Sequence, residues 1–294
     1  MTLIDLSGEI PDDPFAWLLE AWESRRWSPR PGHAEVAGWE VAAVDVEGRP
    51  AWLLQRPATP GEAVHGSGEA FLGPDLVGRS RALINRETNG AAGVDLAYLN
   101  VPYIWSDAGW GLHIDTGAPV LMDLTDGCTV LVLDPDAAFH TLAGTPAQMI
   151  VEHTERTGRA PAWPDWAYGV WMSRATYLTA EEMLGVVAEL QAADCPVDVI
   201  HVDAWMTGNV FRDFTTNWEV DRDRFPVGWT DRLRDSGARV SMWLNPFVHA
   251  DTELADELHE RGLLLRMPDG APATTCDRSY RNLVDFTNPA AVLW

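Results

Sequence analysis

Along the first half of the chain, apolar residues come in short runs broken by Gly, Pro, Asp and Asn. Residues 14–27 space their apolar positions as one face of a short amphipathic helix. Residues 39–47 then alternate roughly, Gly48-Arg49-Pro50 interrupts them, and residues 51–56 resume, as a hairpin would. Residues 101–105, 111–115, 120–124 and 129–133 read as further short strands between Asp, Gly and Pro turns. Strands at this spacing predict an antiparallel β-sandwich. Thr145 as N-cap, Pro146 at the first turn and Gly158 as a stop predict a linking helix, followed by a Pro- and Trp-rich joint at 160–166.

Beyond the joint the rhythm changes to strands alternating with helices. Residues 167–173 read as a buried strand, and Thr179-Ala180-Glu181-Glu182 as a capping box opening a helix with Met183, Val186, Val187 and Leu190 on one face. Residues 197–205 form a second, nearly continuous apolar run, marked by Asp198, His201 and Asp203. A short helix over 231–235, a third strand over 239–247 and a helix over 252–260 follow, and Asn288-Pro289 reads as a cap with Pro in the first turn. Apolar strands between helices predict parallel strands buried on both faces. Residues 166–294 supply about half of the roughly 250 residues that a barrel of eight such units needs. The expected organisation is therefore a β-sandwich (1–143), a linking helix and joint (144–165), and the first half of a (β/α)8 barrel (166–294). Such a chain would continue past Trp294.

Composition narrows the chemistry. All 21 basic residues are Arg, against 44 acidic ones, for a net charge of −23. Without Lys there is no Schiff-base enzyme, no phosphate-cradling P-loop and no Ser-Lys acylation. The acidity argues against nucleic acid or anionic membrane as partner. Three widely spaced Cys (128, 195 and 276), no apolar run of membrane-spanning length and no signal-peptide pattern predict a soluble cytoplasmic protein; the oligomeric state stays open. Fifteen Trp in 294 residues is a large excess, either core or stacking surface for flat ligands such as sugar rings.

In parallel α/β folds the functional groups sit at the carboxyl ends of strands. The predicted strands place there Trp171-Met172-Ser173-Arg174, then Asp203-Ala204-Trp205, then Trp243-Leu244-Asn245-Pro246-Phe247, and the next segment delivers Asp285. Carboxylates and Trp at one rim suit a neutral polyhydroxylated ligand: carboxylates accept from hydroxyls while Trp covers the apolar ring face. Each also has a plainer reading, with Trp as core and Asp285 as the anchor of the turn before Asn288. His113 and His201 on apolar strands read as core histidines. No metal-ligand spacing and no nucleophile elbow occurs, so neither a metal nor a cofactor is expected. Gly66-Ser67-Gly68 opens like a dinucleotide loop, but Phe71 stands where the third Gly belongs.

Taken together, Pro164-Asp165-Trp166-Ala167-Tyr168-Gly169-Val170-Trp171, Pro196–Asp203, Phe225-Pro226, Trp243–Phe247 and Asp285–Pro289 resemble glycoside hydrolase family 31, the retaining α-glucosidases and α-xylosidases. Gly66–Glu69, Asn85-Arg86-Glu87, Asn100–Tyr103 and Gly109-Trp110-Gly111 resemble the sandwich domain of that family. The resemblance implies that Asp203 binds hydroxyls of the terminal sugar, lined by Trp205, Trp171 and Trp243. Glu87, where the family usually has Asp, would reach towards the pocket, and Asp285 belongs to the matched barrel motifs. The His-x-Asp opening and Asn217–Asp221 are closer to the α-xylosidase-like branch. The family's nucleophilic and acid/base Asp residues would both lie beyond Trp294, and no carboxylate in the chain matches either motif, so no residue here is catalytic. The resemblance implies hydrolysis of terminal α-xylosides or α-glucosides by the full-length enzyme. A non-catalytic carbohydrate-binding remnant and a structural fold without ligand remain alternatives.

Overall fold

The structure is a computed structural model that describes residues 15–70, 72–85, 97–174, 177–207, 217–249, 252–267, 270–273 and 282–294. The chain divides into two compact units, Met1–Ala160 and Pro161–Trp294.

The first unit opens with helix α1 (Ala16–Glu23) and continues with β1 (Ser28–Pro29), β2 (Glu40–Val46), β3 (Arg49–Arg56), β4 (Val64–Gly68) and β5 (Ser80–Leu83). Then come β6 (Asn100–Ser106), β7 (Trp110–Asp115), β8 (Val120–Asp123), β9 (Cys128–Val132), β10 (Ala138–Ala143) and helix α2 (Pro146–Thr157). These strands pair antiparallel, in one sheet of order β1-β2-β3-β9-β8-β5 and another of order β10-β7-β6-β4. Residues from both sheets share one buried cluster: Trp52, Leu54, Met122, Val130 and Val132 from the first, Ile104, Leu112 and Ile114 from the second. The intervening positions Val44, Leu53, Leu121 and Leu131 bury the opposite face of the first sheet against Leu18 and Ala21 of α1. Burial on both faces is why Ala51-Trp52-Leu53-Leu54 and Val130-Leu131-Val132 read as continuous apolar runs despite a period of two.

The pattern of apolar positions misses β4, β5 and β10. In β4 the cause is a bulge between Gly66 and Gly68. Both glycines have positive φ, and a Cβ at Gly66 would lie 2.4 Å from the Tyr103 carbonyl oxygen. Ser67 between them is buried, and its hydroxyl accepts from the Arg81 guanidinium at 2.6 Å. Gly66-Ser67-Gly68 is thus a strand irregularity around a buried Arg, with no helix to receive a phosphate.

Helix α2 has the expected cap: Thr145 accepts from the Gln148 amide, and the Gln148 side chain returns the bond. It packs on the second sheet, Met149 meeting Tyr103 and Leu142. Tyr103, His113 and His140 form a cross-strand row, and His153 of α2 stacks on Tyr103 with ring centroids 3.9 Å apart. His113 lies in the core, and its Nδ1, the Nδ1 of His153 and the Tyr103 hydroxyl are buried with no hydrogen-bond partner among the described residues.

The second unit replaces the start of the expected strand at 167–173 with a 3-10 turn, Asp165–Tyr168, leaving only β11 (Trp171–Ser173) extended and largely exposed. The turn follows extended Pro164, and its exit is set by Asp198, whose carboxylate accepts from the Val170 amide at 2.9 Å. That approach requires Gly169, where a Cβ would lie 2.1 Å from Asp198 Oδ2. Then follow α3 (Ala180–Ala192), β12 (Val199–Val202), α4 (Trp229–Asp235), β13 (Arg239–Met242), α5 (Glu253–Glu260) and α6 (Pro289–Leu293). The Thr179 hydroxyl caps α3 by accepting from the Glu182 amide, but the Glu182 carboxylate serves Leu178 and Arg174, so the box is half formed. Asn288 caps α6 as expected.

Strands β11, β12 and β13 pair in parallel, with Ser173, His201 and Ser241 in one row. Met172, Ile200, Val202, Val240 and Met242 join a cluster with Met183 and Val187 of α3 and Leu233 of α4. The chain after β12 is held by Arg224, which donates to the carbonyls of Ala204 (2.8 Å) and Met206 (2.7 Å) and to Asp221 Oδ2 (2.7 Å). Asp221 also accepts from the amides of Asp223 and Arg224, which holds its carboxyl below the usual range together with the Arg224 guanidinium. Bonds from Thr207 N–H to Glu219 and from Asp221 N–H to Trp205 complete a brace on both sides of Met206.

Three outcomes follow from these arrangements. Burial, then neighbouring His153 and His140, lowers the pKa of His113, and burial and Arg156 lower that of His153; Asp115 opposes the shift at His113. The unfolded chain therefore binds more protons than the folded one below about pH 6.5, and stability present above that value is lost as the pH falls from it through the lowered folded-state pKa values. Thermal unfolding followed between pH 7 and 5 should show this loss, and H153F, which keeps a ring against Tyr103, should flatten it. R224M should cost about 2–3 kcal/mol in denaturant unfolding, because charged hydrogen bonds to two carbonyls are lost together. G169A should cost about 1–3 kcal/mol, since Asp198 must leave the space its Cβ needs.

Candidate functional site

Chemistry on the second unit gathers around the carboxyl end of β12. Strand alternation sends Ile200 and Val202 into the helix-covered cluster, so His201 and Asp203 lie on the other face. Asp203 keeps 40% of its side chain exposed. Its Oδ1 lies 2.7 Å from His201 Nε2, while no described residue donates to Oδ2. His201 Nδ1 lies 2.9 Å from the Ser241 hydroxyl on the neighbouring strand. The result is a chain of three polar groups, Ser241, His201 and Asp203, ending in a carboxylate whose Oδ2 meets no donor among the described residues.

Trp205 and Trp243 belong to the same corner. The Trp205 ring is buried in the helix-side cluster, and its indole N–H donates to the Trp243 carbonyl at 2.7 Å. Trp243, whose own amide donates to Val202, is half-buried. Trp171 stands apart: its register partner is Val199, four positions before Asp203, which is about 13 Å along the strand. Its ring is half exposed beside Trp166, and its indole N–H donates to the Ala167 carbonyl. The register thus brings Ser173, rather than Trp171, beside His201.

Asp285 accepts through Oδ1 from both the amide and the hydroxyl of Thr287, and its carbonyl accepts from Asn288, ordering the turn that starts α6. Glu87 lies outside the described residues. Asn245 accepts from the Phe247 amide through Oδ1, its carbonyl accepts from the Trp218 indole, and its buried Nδ2 has no partner. The apolar-strand reading overlooked the roles of His201, Ser241 and Arg224. The available signal was the break of two polar residues, His201 and Asp203, in an otherwise apolar strand. Among the described residues no group of three or more His, Cys, Asp or Glu is placed to hold a metal, and no helix is long and apolar enough to cross a membrane.

Residues 160–294 match the glycosyl hydrolases family 31 TIM-barrel domain. The α-xylosidase XylQ of Lactiplantibacillus pentosus is 28% identical over 79% of this chain and 31% of its own length. An α-xylosidase of Emericella nidulans is 29% identical over 82% of this chain and 32% of its own. The chain therefore spans about a third of these curated relatives. Among solved structures, the cycloalternan-degrading enzyme from Trueperella pyogenes in complex with cycloalternan superposes with a TM-score of 0.74 at 19% identity, covering 91% of this chain and 43% of that one. A family 31 α-xylosidase from a soil metagenome, complexed with xylose, gives a TM-score of 0.66 at 21% identity, covering 86% and 36%. At these identities the structural likeness speaks for the fold, and the sequence matches carry the likeness to the family. Residues 160–294 are thus similar to the family 31 barrel domain, and most of the chain is similar to the two α-xylosidases.

Proposed function

We propose that this chain is the sugar-binding front of a retaining α-glycosidase acting on terminal α-xylosides or α-glucosides. In this reading residues 1–143 are the β-sandwich, 144–165 the link, and 166–294 the first part of the (β/α)8 barrel. The observation that carries it is Asp203: a half-exposed carboxylate whose Oδ2 has no donor among the described residues, at the carboxyl end of a parallel strand, where such folds place their ligand groups. Asp203 accepts from vicinal sugar hydroxyls, and the half-buried Trp243 lines the site beside it. Trp205 supports that corner from below, and the half-exposed Trp171 offers a second, more distant apolar surface.

Retaining hydrolysis needs two carboxyl groups roughly 5–5.5 Å apart, one as nucleophile and one as acid/base. The partner of Asp203 is a histidine rather than a second carboxylate, which supports a binding role. The reacting pair would come from polypeptide that follows Trp294, in keeping with the third of its relatives that the chain spans. Tyr168, Val170 and Leu244 are exposed apolar residues at or near the parallel strands, surface that further barrel strands would cover. Asn217–Asp221 and the His-x-Asp opening favour xylose, and the two curated relatives described above are α-xylosidases.

Titration of the chain with xylose and with glucose, followed by Trp fluorescence, tests the reading. Loss of Asp203 in D203A should weaken binding by about 10- to 100-fold, as expected for hydrogen bonds to a charged group. Joined to the coding sequence that follows, the protein should cleave an aryl α-xyloside faster than an aryl α-glucoside. Unchanged affinity in D203A would remove Asp203 from the site, and a response to sugar without hydrolysis by the joined protein would favour the binding-remnant alternative.

A further inference from the structure

The Ser241–His201–Asp203 chain assigns a role to a histidine that the proposed binding reaction does not itself use. A carboxylate can only accept, so the His201 nitrogen facing Asp203 at 2.7 Å, Nε2, must carry a hydrogen. In the neutral ring Nδ1 is then an acceptor, and the Ser241 hydroxyl at 2.9 Å has to be the donor. The opposite tautomer would set a lone pair of Nε2 against the carboxylate and leave Asp203 without an N–H. Asp203 thus selects the tautomer, and the Ser241 hydroxyl, set level with His201 by the register of β12 with β13, follows by donating to Nδ1.

The consequence reaches the sugar site. Asp203 lies beyond the last residue of β12, where no strand pairing fixes its side chain. A partly exposed carboxylate there would sample several rotamers and lose entropy on meeting a ligand. With Oδ1 occupied by His201, the carboxylate is held in one orientation and Oδ2 is left for an incoming hydroxyl. The backbone on its other side is already fixed by Arg224. We infer that His201 is a positioning residue that presents Asp203 to sugar hydroxyls, with the Ser241 hydroxyl anchoring the His201 ring at Nδ1. This rests on the sugar-binding reading of Asp203.

Two readouts separate the inference from that reading. The first needs no sugar: long-range nitrogen–proton NMR correlations of the His201 ring should report the Nε2–H tautomer in the wild-type chain and in S241A, and a mixture of tautomers in D203A. The second is affinity for xylose by Trp fluorescence. H201F should weaken binding roughly tenfold, H201Q, whose amide nitrogen replaces Nε2, should recover most of it, and S241A should lose about threefold. A merely structural His201 would give no rescue by Gln and no dependence on the hydroxyl at 241. An Nδ1–H tautomer in the wild type overturns the tether whatever the sugar result. Sugar binding that disappears in D203A but survives in H201F overturns the positioning role and leaves the reading of Asp203 standing. A wild-type chain that ignores both sugars overturns the reading of Asp203, and the positioning role falls with it.

Discussion

The site depends on the two-sidedness of β12. A strand covered by helices on one face must bury every second residue there, and the residues between have to face the other way. Ile200 and Val202 satisfy the helix side, packed against Met183, Val187 and Leu233. That obligation places His201 and Asp203 together on the opposite face, because any slip by one position would bury a carboxylate in the apolar cluster. The parallel register then sets Ser173 and Ser241 on either side of His201. The polar row is thus a by-product of apolar packing.

Alternation ends with the strand, so the chain beyond Val202 needs other means to stay in place. Arg224 supplies them. Its guanidinium spans the carbonyls of Ala204 and Met206, while Asp221 pairs with it and caps the turn from which it projects. The indole N–H of Trp205 adds a bond to the Trp243 carbonyl across the sheet. A planar, forked cation is suited to this task, since a Lys could not reach two carbonyls and a carboxylate at once. In a chain whose basic residues are all Arg, the fork also recurs in the buried Arg81 at the β4 bulge.

The Trp excess resolves into several uses. Trp39, Trp52 and Trp110 fill the layer between the antiparallel sheets, and Trp229 and Trp205 lie in the core of the second unit. Trp171 and Trp163 are half exposed or more. Arg56 lies over Trp110, and Arg239 over Trp166, so part of the ring surface is taken by guanidinium groups. Residue type could not assign these uses, because a Trp at a strand end looks the same in sequence whether its ring is covered or open.

Helices and long apolar strands were legible because their signals are local. Thr145-Pro146, Thr252 and Asn288-Pro289 mark helix starts through bonds made within a few residues, and the structure keeps all of them. Strands β4 and β5 were not legible, since a bulge around buried Arg81 depends on Ser67 and Asn100, well separated from it in the chain. Of the site, the family motifs and the carboxylate at 203 could be read from the residues alone. By itself the sequence determined the likeness to family 31, the change from antiparallel to parallel strands, and the placing of Asp203 at a strand end. Only the tertiary structure decided that Asp203 pairs with His201, that Ser241 sits against the far side of that ring, and that Trp205 is covered while Trp171 lies far down the sheet. Register and burial come from contacts between segments, and those energies are not written in any one segment's pattern.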